Sequence, residues 1–206
     1  MNDRPGETTG WRRATSRRWT TRELLLVAVL AVVFGFLYLQ WVPVWVSVQG
    51  VGAQVGQEAL FGFWLAGGVL AGYIIRRPGA VILGETLAAL AEILFGAVVG
   101  PTLLITGLVQ GIGGELVFAG ARYRNWSLPV VLLAGALTAV VALPWNWFRL
   151  GYFQLDPAFL VVLFVVRVLS GAVLGGLLPK AIGDMLTRTG VLSGYAIGRQ
   201  SEQPRV

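Results

Sequence analysis

The sequence predicts an all-α integral membrane protein, a bundle of six transmembrane helices with both termini in the cytoplasm. Three observations carry that expectation. The 206-residue chain is 56% hydrophobic and 13% charged, with a mean hydropathy of +0.73, whereas soluble domains carry about 25% charged residues. Apolar runs long enough to cross about 30 Å of hydrocarbon recur along it. The 16 Lys and Arg residues fall in short clusters between those runs.

The chain opens on a polar, basic segment, 1–22, holding Arg12, Arg13, Arg17, Arg18 and Arg22. Such a segment is disordered or lies on the membrane surface. The first apolar run, Leu24 to Val42, exceeds a signal-peptide core and ends in Gln40-Trp41-Val42-Pro43 with no small-x-small cleavage site. It reads as a retained anchor. Five more spans are expected at 58–75, 79–99, 102–120, 128–143 and 157–179. Arg-Arg-Pro, Gly-Pro and a basic 121–127 mark short connections, while 43–57 and 144–156 are longer and hold Pro, Gly and Trp. The chain thus divides into a basic cytoplasmic segment (1–22), a membrane domain (23–187) and a cytoplasmic tail (188–206).

Charge sets the orientation. With the N-terminus inside, 14 of the 16 basic residues are cytoplasmic, leaving Arg149 in an outer loop and Arg167 within the sixth span. That asymmetry follows the positive-inside rule. Trp41, Trp45, Trp145, Trp147, Phe148 and Tyr152 then belong to the outer loops. They form an interfacial aromatic belt or cap a site open to the outside.

Composition also removes whole classes of chemistry. Without Cys or His, disulfides, Cys/His metal sites and nucleophile–His dyads are excluded, and no metal or cofactor is expected. The sequence has no GxxxxGK[ST] phosphate loop, so this chain does not hydrolyse ATP through that motif. The net charge of +6 is spread between apolar runs, with no separate basic domain for nucleic acid.

Polar residues inside the spans are the candidates for function. An ionised group at mid-span costs about 2.5–3.5 kcal/mol on insertion scales, so Glu85, Glu92, Glu115 and Arg167 must face protein or a wet cavity. Glu85 and Glu92, seven apart, share one helix face, about 20° from each other. By depth they divide into two layers. Glu85, Glu115 and Arg167 are expected to form an inner network. Glu92 and Gln110, with Gln57 and Glu58 at the outer end of span 2, are expected to line a pocket under Trp145, Trp147 and Tyr152. Acids, amides and Trp without Lys suit a flat, nitrogen-rich ligand, neutral or cationic.

Several stretches resemble the YkoE family, the substrate-binding (S) components of energy-coupling factor (ECF) transporters linked to thiamine and its hydroxymethylpyrimidine precursor. They are Ala28–Leu39, Gly56–Trp64, Gly72–Glu92, Gly107–Arg124, Arg167–Gly176 and Thr189–Gly198. The resemblance implies six helices in a bacterial plasma membrane and an externally accessible vitamin site. It also implies a membrane coupling (T) protein and two cytoplasmic ATPases as partners. On the first helix it implies small residues facing the coupling protein, here Ala28, Ala31 and Gly35. Two other classes compete with this reading: a ligand-free membrane assembly protein, and an intramembrane enzyme using the three glutamates.

Overall fold

The computed structural model describes residues 18–48 and 53–201. Those residues fold into helices, with no strand among them: α1 (Thr21–Ser47), α2 (Ala53–Phe61), α3 (Ala66–Ile75), α4 (Ala80–Leu94), α5 (Thr102–Gly120), α6 (Leu128–Leu150), α7 (Pro157–Ala172), α8 (Leu178–Arg188) and α9 (Ala196–Ser201). A 3₁₀ turn, Gly62–Leu65, joins α2 to α3, and a π turn, Val173–Leu177, joins α7 to α8. Each pair therefore runs on as one rod. Arg12, Arg13 and Arg17 of the expected basic segment lie outside the described residues, as does 202–206.

Local chemistry sets the helix ends. Thr20 and Glu23 form a reciprocal capping box that starts α1, satisfying backbone donors that the first turn leaves free. Asp156 accepts from the Ala158 and Phe159 N–H groups at the start of α7, with Pro157 at the first helical position. The cap of α4 comes from another helix. The Glu115 carboxylate on α5 accepts from the N–H groups of Gly79 (2.6 Å) and Val81 (3.0 Å). Gly151, left-handed at φ 70°, ends α6.

Among the described residues, five rods are long and apolar enough to cross a membrane: 21–47, 54–75, 102–120, 128–150 and 157–188. At 15 residues, α4 rises only about 22 Å. It packs against α1, α3 and α5 all the same. Leu94, its last residue, and Val98, in the turn that follows, are 77% and 99% exposed. Around the outside, α1 shows Leu25, Val29, Val32 and Phe36 to the surroundings, while Glu85, Glu92, Gln110 and Arg167 are buried. Apolar outside and polar inside is the arrangement that lipid demands.

Two sequence expectations are corrected here. The segments 43–57 and 144–156 are largely helix. α1 runs through Pro43 to Ser47 and α6 through Pro144 to Leu150, so Trp45, Trp145 and Trp147 stand on helices. Pro removes one helical hydrogen bond, but a packed membrane helix tolerates that loss when neighbours bond the freed groups. The second correction concerns the small residues of α1. Ala31 is 5% exposed and Gly35 is buried. A Cβ on Gly35 would lie 2.6 Å from Ala91 Cβ and 2.7 Å from the Ala88 carbonyl. That close approach belongs to α4 inside this chain, and Ala28 alone of the three is exposed.

All the basic connections gather at one end of the bundle. There Arg77 bonds Glu23 at 2.7 Å, Tyr73 donates to Asp184, and Tyr195 reaches the Arg22 carbonyl. Glu115 and Tyr123 meet at the same end, at 2.6 Å. Burial and the Glu115 carboxylate push the Tyr123 phenol up, which keeps it a donor.

Candidate ligand-binding cavity

A cavity of about 170 Å³ lies toward the opposite end, between α1, α4 and α5 on one side and the α2–α3 junction and α6 on the other. Glu85 and Glu92 reach it from α4, Gln110 from α5, and Asn146 and Arg149 from α6. Tyr38, Trp45, Phe61 and Trp64 supply aromatic wall, with Trp45 edge-on to Trp64 at 6.1 Å.

The two carboxylates differ in how they are held. Glu85 accepts from the Gly68 N–H at 2.6 Å and from the Tyr38 hydroxyl at 3.1 Å. Gly67 N–H in turn donates to the Tyr38 oxygen at 2.8 Å. Glu92 is 4% exposed and makes no hydrogen bond among the described residues, and Gln110 matches it on both counts. Asn146 Oδ1 is also buried without a partner. Buried polar groups are nearly always hydrogen-bonded, and leaving one unpaired costs about 1–3 kcal/mol. Asn146 Oδ1 is such a group, and the Glu92 and Gln110 side chains beside it leave further polar atoms open to the cavity for a guest to bond.

The other expected pocket residues stand beside the cavity, in a network of their own. Glu58 pairs with Arg167 at 2.6 Å and accepts from Trp147 Nε1 at 2.8 Å. Tyr152 donates to Gln57 Oε1 at 2.7 Å. Burial, then the Glu58 charge, push the Tyr152 phenol up to about 12, so it remains the donor. Trp145 donates to Thr106 Oγ1 at 2.8 Å, and Arg149 reaches the same oxygen at 3.2 Å. Thr106 itself lines the cavity.

The expected inner network of Glu85, Glu115 and Arg167 is not formed. Glu85 belongs to the cavity, Glu115 caps α4 at the basic end, and Arg167 pairs with Glu58. Depth along a helix was the criterion, and it ignores which neighbour each face meets. Sequence reasoning also missed Tyr38, Phe61, Trp64 and Asn146. Tyr38 carried a signal, because it continues the Ala31–Gly35 face at helical spacing.

The chain is an all-helical multi-pass membrane protein with a largely apolar cavity between its helices, into which a few polar side chains reach. Comparison with known proteins names the kind. Residues 22–141 match the family model described as the permease component of an ABC-type cobalt transport system. YkoE of Bacillus subtilis (strain 168), assigned as an HMP/thiamine permease, is 38% identical over 189 residues, covering 92% of this chain and 95% of YkoE. A crystal structure of an ECF transporter S component superposes with a TM-score of 0.86 at 38% identity, covering 90% of this chain and 94% of that one. The chain belongs to the YkoE family of ECF transporter S components, multi-pass proteins of the bacterial plasma membrane.

Proposed function

We propose that this chain is the substrate-binding subunit of an ECF importer, taking thiamine or its hydroxymethylpyrimidine precursor (HMP) from outside the cell. The pairing of Glu92 and Gln110, both buried on the cavity and both without a protein partner, carries the reading. A carboxylate accepts from the exocyclic amino group of an aminopyrimidine, and an amide donates to and accepts from the ring edge. Trp45, Phe61 and Trp64 offer faces for the flat ring, and Trp faces also attract the thiazolium cation of thiamine. The name of the Bacillus relative points to the same two ligands. Cobalt, named by the family model, suits these residues poorly. The chain has no Cys or His, and no metal-holding cluster of Asp and Glu stands among the described residues.

The direction of transport follows from charge. The cavity lies away from the basic end, which the positive-inside rule assigns to the cytoplasm. On this topology α4 is a short sixth span, both termini are cytoplasmic, and segments 1–22 and 188–206 flank the membrane domain on the inner side. Energy would come from a coupling protein and two ATPases.

Intrinsic fluorescence tests the assignment, because Trp45 and Trp64 line the cavity. Titration of detergent-purified protein with thiamine, and separately with HMP, is expected to give saturable quenching at submicromolar ligand. Folded protein that responds to neither removes the substrate assignment. Glu92→Gln is expected to weaken binding roughly tenfold or more, since a hydrogen bond to a charged group contributes about 1.5–3 kcal/mol. Unchanged affinity would make Glu92 structural.

A further inference from the structure

Arg167 is the largest fully buried side chain among the described residues, and it stands behind the cavity wall. Its guanidinium carbon lies 3.4 Å from the ring centroid of Phe61, which lines the cavity. Nη1 bonds Glu58 on α2 at 2.6 Å, and Nε donates to the Ala139 carbonyl on α6 at 3.0 Å. Trp147 Nε1 holds the second oxygen of Glu58. The guanidinium plane is thus fixed from two helices while it covers one face of the Phe61 ring.

The backbone beside that ring is held from the same helix. Phe61 ends α2, where the rod tightens into the 3₁₀ turn Gly62–Leu65. The Gly62 N–H donates to Ser170 Oγ at 2.9 Å, and that hydroxyl donates to the Ala59 carbonyl at 2.7 Å. Ser170 lies three residues after Arg167, one turn along the same face of α7. α7 therefore holds this stretch twice, through the Phe61 ring and through the backbone on either side of it at Ala59 and Gly62.

Stability is a poor reason to keep such a pair. A buried ion pair contributes little over an apolar pair of similar volume, and a charged residue inside a membrane span is costly. What the pair provides is a fixed position and orientation for one aromatic ring. We propose that Arg167 is a positioning residue of the binding site, fixing Phe61 as cavity wall and so setting ligand affinity without touching the ligand. This rests on the reading of the cavity as the site for thiamine or HMP.

A double-mutant cycle tests it, with thiamine and HMP titrated by calorimetry against full-length protein in detergent. Arg167→Lys keeps a countercharge for Glu58 and loses the planar stack on Phe61. It is expected to weaken binding about tenfold, equivalent to about 1.4 kcal/mol. In a Phe61→Leu background, which keeps an apolar wall, the same change is expected to cost less than about twofold, because the partner is already gone. Equal losses in both backgrounds, or no loss in either, would overturn the proposal. Should Arg167→Lys fail to fold, the paired change Glu58→Gln with Arg167→Gln goes through the same cycle, since removing both charges leaves no unpaired ion. If the unsubstituted chain binds neither ligand, the reading of the cavity fails and this role falls with it. Binding by the unsubstituted chain with additive losses sinks the role of Arg167 alone.

Discussion

The Tyr38 hydroxyl donates to Glu85 at 3.1 Å while accepting from the Gly67 N–H at 2.8 Å, so one oxygen atom ties α1, α3 and α4 together beside the cavity. Tyr38→Phe would leave a buried N–H unpaired and strip Glu85 of one of its two donors. The expected cost is about 1–3 kcal/mol of stability, read as a lower thermal midpoint in detergent. Ligand affinity should fall too, because Tyr38 lines the cavity. An unchanged midpoint would show that these bonds are not formed.

The contact between α1 and α4 gives a second expectation. Gly35 has no room for a Cβ against Ala88 and Ala91, so Gly35→Leu must force the helices apart. Overpacking of this kind costs about 1–3 kcal/mol. Ala28→Leu, at an exposed position one face away, should leave the midpoint where it was. Equal effects at the two sites would mean that α1 does not meet α4 through this face.

Gln110 separates binding from folding. Its side chain lies buried on the cavity with no protein partner. Gln110→Leu should therefore leave the thermal midpoint where it is, since the amide makes no protein hydrogen bond for the change to break. The same change should weaken thiamine or HMP binding about threefold to tenfold, the worth of one neutral hydrogen bond. Loss of stability with intact binding would place Gln110 in the scaffold.

Glu115 should behave the other way round. It caps α4 at the end of the bundle far from the cavity. Glu115→Ala is expected to cost about 0.5–2 kcal/mol of stability, as a lost helix cap does, with ligand affinity unchanged once the variant is folded. A folded variant with full stability and poor binding would contradict this division of roles.

Particular residues show how much was legible in the sequence. The seven-residue spacing of Glu85 and Glu92 placed both on one face, and both reach the cavity. Gln110, a polar residue within its span, likewise faces inward and lines the cavity. Arg167 was seen to need a partner, but Glu58 was assigned elsewhere, because charge and depth do not say which helices are neighbours. That choice is made by close packing, such as Gly62 against Ser170 across 108 residues of sequence. Trp145 and Trp147 were misplaced onto a loop because Pro144 looks like a helix end, and only tertiary contacts carry a helix past it. The resemblance assigns Ala31 and Gly35 to the coupling protein, whereas Gly35 packs against α4 and Ala31 is buried inside this chain.

The turn that follows α4 makes one further demand on its surroundings. Gly96 and Gly100 take positive φ there, and Phe95, Gly96, Ala97 and Gly100 each donate to a carbonyl within the α4 end and the turn. Four of the six amides from Phe95 to Gly100 are thereby satisfied, which lowers the cost of meeting lipid, and the outward side chains here are Leu94, Phe95 and Val98. Because α4 stops short, acyl chains rather than solvent would press on this turn, whose Val99 also faces the cavity. The thickness of the bilayer then becomes a property of the site, felt through hydrophobic mismatch at a cost of fractions of a kcal/mol per Å. Affinity measured in a thin detergent belt and in a thick, ordered membrane need not agree, even for an unaltered chain.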